Sequence, residues 1–161
     1  MNTMLLTAAL DGRNGKGRIG SRIGLSADAF VFSNTTDMAA LVSEHHEQTA
    51  INCVLVDEAQ FLTDEQVWQL AEIVDELNIP VMCYGLRTDF QGNMFPGSAR
   101  LLAIADNLRE IRTICHCGRK ATMVARQNES GEVIRDGAQV EIGGNEKYIS
   151  LCRSHWRAAM F

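Results

Sequence analysis

One apolar run, from Ile51 to Val56, constrains the fold of this chain more than any other feature. Five of its six residues are apolar, and they lack the spacing of three and four residues that marks an amphipathic helix. The run is typical of a central parallel strand that is buried on both faces. Asp57 and Glu58 follow directly, at the carboxyl end of the predicted strand, which is the edge of an open α/β sheet where ligands bind.

Two interpretations of this acidic pair are open. A carboxylate that closes an apolar strand is a common holder of Mg²⁺ together with phosphates and waters, which indicates a nucleotide site. Alternatively, Asp57 and Glu58 begin a turn or cap the next helix. The segment Thr63–Gln66 already supplies a capping box for that helix, so we favour the nucleotide site.

The flanking segments predict a parallel strand–helix–strand unit. Met4–Leu10 is typical of a short strand, and apolar residues spaced by three and four from Val67 to Leu77 predict an amphipathic helix. Pro80–Gly85 is the next predicted strand, and a strand, a helix and a strand in this order form a right-handed parallel unit. Beyond it, Arg87 could contact a transferring phosphate or pair with Asp89.

The glycine-rich segment Asp11–Gly24 invites comparison with a phosphate loop, but its spacing fails. That motif needs Gly, four residues, then Gly-Lys-Ser/Thr, so that backbone amides, the lysine and the hydroxyl meet phosphates and Mg²⁺. Gly12 and Gly17 have the right separation, yet Arg18 and Ile19 stand where Lys-Ser/Thr belongs, and the frame three residues later fails too. We therefore expect a mobile connector here.

From Thr113 onward short alternating strands replace the α/β pattern and predict a small β-rich lobe. Three thiolates and one imidazole, in two knuckles separated by hairpins, can surround Zn²⁺ tetrahedrally. The candidate ligands are Cys115, Cys117, Cys152 and His155, with His116 as a rival to His155. The alternative is a set of small buried residues or a redox pair; we favour zinc because a lobe this small has little core and metal binding contributes folding energy.

Composition excludes several classes of protein. With 161 residues the chain suggests one domain, or one domain with a small appendage, and it can bury a real core. A net charge of −5 without a Lys/Arg stripe argues against a nucleic-acid polymer as the main partner. No run approaches a membrane span and no signal-peptide pattern is present, so we expect a cytosolic protein whose five cysteines are ligands or core residues.

Three motifs, with the cysteine–histidine set, closely resemble those of the type II thymidine kinases, especially the bacterial ones. They are Val56–Phe61, Tyr84–Phe90 and Ile142–Tyr148. The resemblance runs from about Ser21 to Trp156. Its Gly-Gly-x-x-Lys-Tyr motif, which precedes the second zinc knuckle, is highly specific to that family.

The resemblance implies a RecA-like, P-loop-type α/β domain over residues 1–112 and a zinc-binding lasso domain over residues 113–161. It implies an enzyme that transfers the γ-phosphate of ATP to the 5′-hydroxyl of thymidine, in deoxynucleoside salvage for DNA synthesis. Structural Zn²⁺, Mg²⁺ bound with ATP, feedback binding of dTTP and a homotetramer are implied as well, with neither nucleic acid nor a membrane as partner.

The resemblance also implies roles for individual residues. Glu58 would be the general base that takes the proton of the 5′-hydroxyl, and a carboxylate beside a metal-binding turn is placed for that task. The Mg²⁺ and ATP turn would consist of Asp57, Glu58, Ala59 and Gln60. The nucleoside would contact Phe61, Leu86, Phe90, Ile142, Gly143, Gly144 and Tyr148. Glu141 stands where family members more often carry an apolar residue.

The largest departure from the family is at the front of the chain: Gly-Lys-Ser/Thr occurs nowhere in its 161 residues. About one strand, one phosphate loop and one helix would be absent, which would uncover part of the sheet and favour oligomers or aggregation. Because that loop positions and neutralises the phosphates, our hypothesis is that the family's activity is thymidine kinase while this polypeptide as given is weak or inactive.

Two other functions are compatible with parts of the sequence. A non-catalytic, zinc-stabilised module that binds a nucleoside or nucleotide would explain the missing phosphate loop. A helicase-type ATPase fragment would explain Asp57–Gln60, which also resembles the magnesium motif of those motors, but it requires a basic surface and further motifs that the chain lacks.

Overall fold

The computed structural model describes residues 1–11, 15, 17–21, 23–141 and 147–161. The predicted contact residues Ile142, Gly143 and Gly144 therefore lie outside the described residues. The chain forms two compact units, of which unit 1 is Met1–Leu86 with Pro96–Ile104, and unit 2 is Arg87–Phe95 with Ala105–Phe161. The boundary after residue 112 stays a prediction.

Unit 1 is a mixed α/β structure built on a four-stranded parallel sheet. Its strands are β1 (Thr3–Ala8), β2 (Arg18–Gly20), β3 (Ser26–Asp28), β4 (Phe30–Phe32), β5 (Cys53–Val56) and β6 (Val81–Cys83). Its α-helices are α1 (Met38–Gln48), α2 (Asp64–Leu77) and α3 (Pro96–Ile104), and a 3₁₀-helix spans Ala59–Phe61. The parallel sheet has the order β4-β1-β5-β6.

The predicted central strand is confirmed as β5, which pairs in parallel with β1 on one side and β6 on the other. Cys53, Val54 and Val56 are buried, as expected for a strand inside a sheet. Leu55 is only half-buried, and its register partner Met82 is 45% exposed. Burial on both faces therefore holds for most of the strand but not for Leu55.

Helix α2 begins and ends at the residues that its capping chemistry predicts. Thr63 accepts from the Gln66 backbone amide, and the Gln66 side chain accepts from the Thr63 amide, which completes the capping box. Asn78 ends the helix in the left-handed conformation (φ 54°). The apolar face of α2 buries Val67, Leu70 and Ile73 in the core of unit 1.

The predicted connector after β1 is wrong in part, because it contains strand β2, which pairs antiparallel with β3. Gly24 (φ 86°) lies in the turn between these two strands, where its backbone conformation permits the hairpin. The short hairpin carries no run of apolar residues, so periodicity did not indicate it.

Unit 2 is β-rich, and its described residues include one helix. Its elements are β7 (Thr113–Ile114), β8 (Lys120–Ala121), β9 (Met123–Gln127), β10 (Val133–Ile134), β11 (Tyr148–Leu151) and α4 (Arg153–Met160). β9 is the centre of an antiparallel sheet with β10 and β11. No helix among the described residues is long and apolar enough to cross a membrane.

Candidate active site and metal centre

The turn after β5 is held at the carboxyl edge of the parallel sheet by backbone hydrogen bonds from both neighbouring strands. The Asp57 amide donates to Leu6 O (2.8 Å) and the Ala59 amide donates to Tyr84 O (2.8 Å). Leu6 lies in β1, and Tyr84 directly follows β6. The turn therefore has a fixed position at the end of the sheet where ligands of open α/β proteins bind.

Glu58 occupies an unusual backbone conformation within this turn. Its φ of 54° and ψ of 38° are left-handed, which is costly for a residue with a Cβ and is frequent where function requires it. The Glu58 amide donates to Asp57 Oδ1 (3.0 Å), and Glu58 Oε2 accepts from Gln60 Nε2 (2.5 Å). Two adjacent, half-buried carboxylates are thus fixed at the strand end.

This donor set fits a hard cation. Asp57 and Glu58 carry carboxylate oxygens, which are the ligand type that Mg²⁺ prefers. Asp57 Oδ1 accepts from the Glu58 amide, and Asp57 Oδ2 has no hydrogen-bond partner among the described residues, so it can take such a role. The arrangement can also accept a proton, because an ionised carboxylate is an acceptor only.

The predicted site residues fall in both units. Asp57, Glu58, Ala59, Gln60, Phe61 and Leu86 belong to unit 1. The structure brings Leu86 next to the turn that contains Gln60, because the Leu86 amide donates to Gln60 Oε1 (3.1 Å). Phe90 and Tyr148 belong to unit 2, and Leu86 is 46% exposed whereas Phe90 is 2% exposed.

Arg87 does not form the predicted pair with Asp89. Its guanidinium donates to Thr122 O (3.4 Å). Asp89 is buried, and its carboxylate accepts from the amides of Gln91 and Asn93 and from Gln139 Nε2. The phosphate role of Arg87 stays open.

Arg126 is a residue that sequence reasoning missed. It is 3% exposed and stacks on the Phe90 ring, with 4.0 Å from its Cζ to the ring centroid. Its guanidinium donates to Ala138 O (3.0 Å) and Asp136 O (3.2 Å) and lies 3.3 Å from a Glu141 carboxylate oxygen. A buried cation held in this way joins Phe90, β9 and the segment 136–141 of unit 2.

The two described residues that flank 142–146 contact one another. Lys147 Nζ donates to Glu141 Oε1 (2.7 Å), and the Tyr148 hydroxyl donates to Glu141 O (2.6 Å). The hydrogen bond from Lys147 is the main cause that lowers the pKa of Glu141 below its ordinary value. Glu141, which departs from the family pattern, is therefore an ion-pair partner here.

The four predicted zinc ligands converge. The ligand atoms of Cys115, Cys117, Cys152 and His155 all lie within 4.8 Å of one another. His155 Nδ1 lies 3.4 Å from Sγ of both Cys115 and Cys152, and the sulfurs of Cys117 and Cys152 are 3.9 Å apart. Tetrahedral zinc, with Zn–S of about 2.3 Å and Zn–N of about 2.1 Å, needs edges of about 3.5–3.8 Å. The cluster fits that metal.

Local structure prepares these ligands. Gly118 (φ 80°) closes the first knuckle by donating to Cys115 O, and Cys152 is the N-cap of α4, which brings His155 back over it. The backbone amide of Cys117, followed by that of Cys152 and by His155, lowers the pKa of Cys115 to about 6, which favours the thiolate that binds metal. All five cysteines are free of disulfides, so the redox-pair alternative gains no support.

The fixed carboxylates lie at the carboxyl edge of a parallel sheet, the edge where open α/β proteins bind their ligands. The family model "Thymidine kinase" matches residues 1–156. The chain is 62% identical over 159 residues to the thymidine kinase of Ruegeria pomeroyi, a match that covers 99% of this chain and 80% of that protein. It is 63% identical over 156 residues to the thymidine kinase of Agrobacterium fabrum, covering 97% of this chain and 81% of the relative.

The thymidine kinase of Haemophilus influenzae is 56% identical over 157 residues, with coverage of 98% and 81%. These findings make the chain an enzyme of the phosphotransferase class. It belongs to the thymidine kinase family. Neither the non-catalytic module nor the helicase-type fragment is favoured by these relatives.

Proposed function

We propose that this chain phosphorylates thymidine, with ATP as the donor of the γ-phosphate and the 5′-hydroxyl as the acceptor. The observation that carries the proposal is the match of residues 1–156 to the thymidine kinase family, and the fixed carboxylates of Asp57 and Glu58 at the sheet edge support it. The RecA-like, P-loop-type fold that the resemblance implied belongs to this proposal, as do the two domains 1–112 and 113–161.

Glu58 is the proposed general base. As the 5′-oxygen bonds to the γ-phosphorus and the bond to the departing ADP oxygen breaks, Glu58 takes the hydroxyl proton. Asp57, with its Oδ2 uncommitted by the named contact to the Glu58 amide, would hold Mg²⁺ at the turn Asp57–Gln60. Mg²⁺ bound with ATP supplies neutralisation of the phosphate charge.

The family resemblance supports a role in nucleoside binding for four described residues. They are Phe61, Leu86, Phe90 and Tyr148. Ile142, Gly143 and Gly144 complete the set that the family resemblance implies. Burial of Phe90 beneath Arg126 supports a fixed ring, since that stack leaves the ring little freedom.

The second domain is proposed to be a zinc-stabilised lasso, with Cys115, Cys117, Cys152 and His155 as ligands. Zinc there has a structural role, because all four ligands come from the protein and no open position is needed. A cytoplasmic homotetramer that binds dTTP in feedback is part of the same proposal. Free thiols at all five cysteines suit a reducing compartment.

A phosphorylation assay tests the proposal. The chain is assayed with thymidine, ATP and Mg²⁺, both as its 161 residues and with a segment bearing Gly-x₄-Gly-Lys-Ser/Thr fused before Met1. We expect thymidine monophosphate from the extended form, and the rate of the shorter form relative to it measures what the loop contributes, because that loop positions the phosphates. Absence of product from both forms would overturn the proposal.

Glu58→Gln keeps the size of the side chain and removes its basicity. In the form that turns over, we expect kcat to fall about 10²- to 10⁴-fold, the usual contribution of a general base. Glu72→Gln is the matched control, because Glu72 is exposed on α2 and should leave kcat unchanged. Equal rates for Glu58→Gln and the control would exclude Glu58 as the base.

A further inference from the structure

We infer that Gln60 is a positioning residue for the general base: it fixes the Glu58 carboxylate by a side-chain hydrogen bond and is itself held by the Leu86 amide. The inference rests on the proposed function, because it assumes that Glu58 takes the hydroxyl proton. It differs from the role that the family resemblance gave Gln60, which was contact with ATP or Mg²⁺.

The contacts of Gln60 lie inside unit 1. Its Nε2 donates to Glu58 Oε2 (2.5 Å), and its Oε1 accepts from the Leu86 amide (3.1 Å). The residue is 2% exposed. A side chain that is buried and engaged at both ends of its amide has little surface left for a nucleotide. The same bonds suit it to orient a neighbouring group.

Glu58 needs such a contact. Its backbone is in the left-handed region (φ 54°), where few residues with a Cβ are stable without support from their surroundings. Glutamate also has three rotatable side-chain bonds, so each contact that the Glu58 carboxylate makes reduces the number of its orientations. A charge-assisted hydrogen bond from Gln60 selects one of them, and correct orientation of a base is worth a large factor in rate.

The surroundings of Gln60 show that its position is built by the fold. A Cβ on Gly85 would lie 2.6 Å from Gln60 Oε1 and 2.9 Å from the Gln60 amide nitrogen, so only glycine allows this approach. Leu86, whose amide donates to Gln60, is also held through its carbonyl, because the Ser98 hydroxyl donates to Leu86 O (2.5 Å). The ends of β5 and β6 are thereby joined through one glutamine.

The test separates positioning from ATP binding by a split between kcat and KM. Gln60→Met preserves shape and removes both hydrogen bonds, while Gln60→Glu keeps an acceptor for the Leu86 amide and replaces the neutral donor to Glu58 by a second carboxyl group, which competes with Glu58 for a proton. For both variants, in the form of the chain that turns over, we expect kcat to fall about 10- to 100-fold with KM for ATP unchanged. Gly85→Ala should give the same pattern.

A second measurement asks whether Gln60 acts through Glu58. In the Glu58→Gln background, adding Gln60→Met should cause no further loss of kcat, because the base that Gln60 orients has already been removed. Where Gln60→Met is too unstable to purify, Gln60→Glu gives the same comparison with a polar side chain in place.

Gln66→Met is the matched control. Gln66 is equally buried in unit 1, but its amide donates to the carbonyls of Ser33 and Thr36, away from Glu58. It should lower stability and leave kcat per folded molecule unchanged.

Three results would overturn the inference, and they are distinguishable. A raised KM for ATP at unchanged kcat in Gln60→Met would assign Gln60 to nucleotide binding. A loss of kcat that adds fully to that of Glu58→Gln would show an action independent of the base. Full turnover by Glu58→Gln would remove the base assignment itself, and the inference with it.

Discussion

The two units hold their functional residues by different means. In unit 1 the described core contains fifteen buried apolar residues, which come from the sheet and its helices and include Leu6, Val54 and Leu70. The corresponding cluster of unit 2 contains six, and two of them, Cys115 and Cys152, belong to the proposed metal site. Burial therefore supports the turn that carries Glu58, whereas the proposed metal ligation would replace much of the missing core in unit 2.

The buried polar groups of the two units also differ. Gln60, the buried polar residue at the proposed active site of unit 1, is neutral and is held by backbone and one carboxylate. Unit 2 buries a cation, Arg126, and stabilises it with carbonyls, an aromatic ring and Glu141. A small unit with little apolar area thus depends more on specific electrostatic contacts, each of which is lost if its partner moves.

The largest expected effect is on the metal site. Cys152→Ser should remove zinc, from about one per chain to none, and unfold unit 2 while unit 1 stays folded, because ligation contributes much of the folding energy of a small metal-binding unit. Metal analysis and hydrogen exchange of both units measure this. Trp156 emission gives a direct optical signal in a Trp68→Phe background, since the chain has two tryptophans, one in each unit.

Cys83→Ser is the control, because Cys83 is a free cysteine of unit 1 outside the cluster. It should keep the zinc content unchanged. A metal-free protein with both units folded would show that the four residues do not form a structural zinc site, and the comparison between the units would fail.

The second effect tests burial in unit 1. Leu70 lies on the buried face of α2 and is 3% exposed, so Leu70→Ala should lower the free energy of unfolding of unit 1 by about 2–5 kcal/mol. Leu77, in the same helix, is 38% exposed, and Leu77→Ala should cost less than about 1 kcal/mol. Urea unfolding followed by hydrogen exchange of β5 gives both values. Similar values for both substitutions would mean that apolar burial is not what distinguishes unit 1.

Sequence reasoning located elements and ligands that depend on nearby residues. The strand β5, the capping box at Thr63 and the Asn78 stop follow from local pattern, and the ligand set in unit 2 follows from its spacing. These features are readable because periodicity and capping act within a few residues.

The contacts that complete the candidate sites lie far apart in sequence. Gln60 meets the Leu86 amide, and Arg126 stacks on Phe90, through pairings that no periodicity encodes. The hairpin of β2 and β3 was missed for a related reason, because its pairing joins short segments without apolar periodicity.

The smallest expected effect concerns the pair Glu141–Lys147 of unit 2. Both side chains are nearly half exposed (47% and 41%), so Lys147→Met should lower the melting temperature of unit 2 only slightly, and less at high salt. The pair should still be visible through its pH dependence. The hydrogen bond that Glu141 accepts from Lys147, aided by the charges of Lys147 and Arg126, keeps the pKa of Glu141 below its ordinary value.

A carboxyl group whose folded-state pKa is lowered stabilises the folded state above its unfolded pKa, about 4.3 for Glu, and loses that contribution as pH falls through the folded value. The difference in melting temperature between the parent chain and Lys147→Met should therefore be present near pH 7 and disappear in acid. Lys147→Arg keeps the charge and should retain most of the difference from Lys147→Met. Thermal unfolding followed by Trp156 emission measures it. A difference that grows toward low pH would mean that Lys147 stabilises unit 2 by packing, and the electrostatic character assigned to this unit would then rest on Arg126 alone.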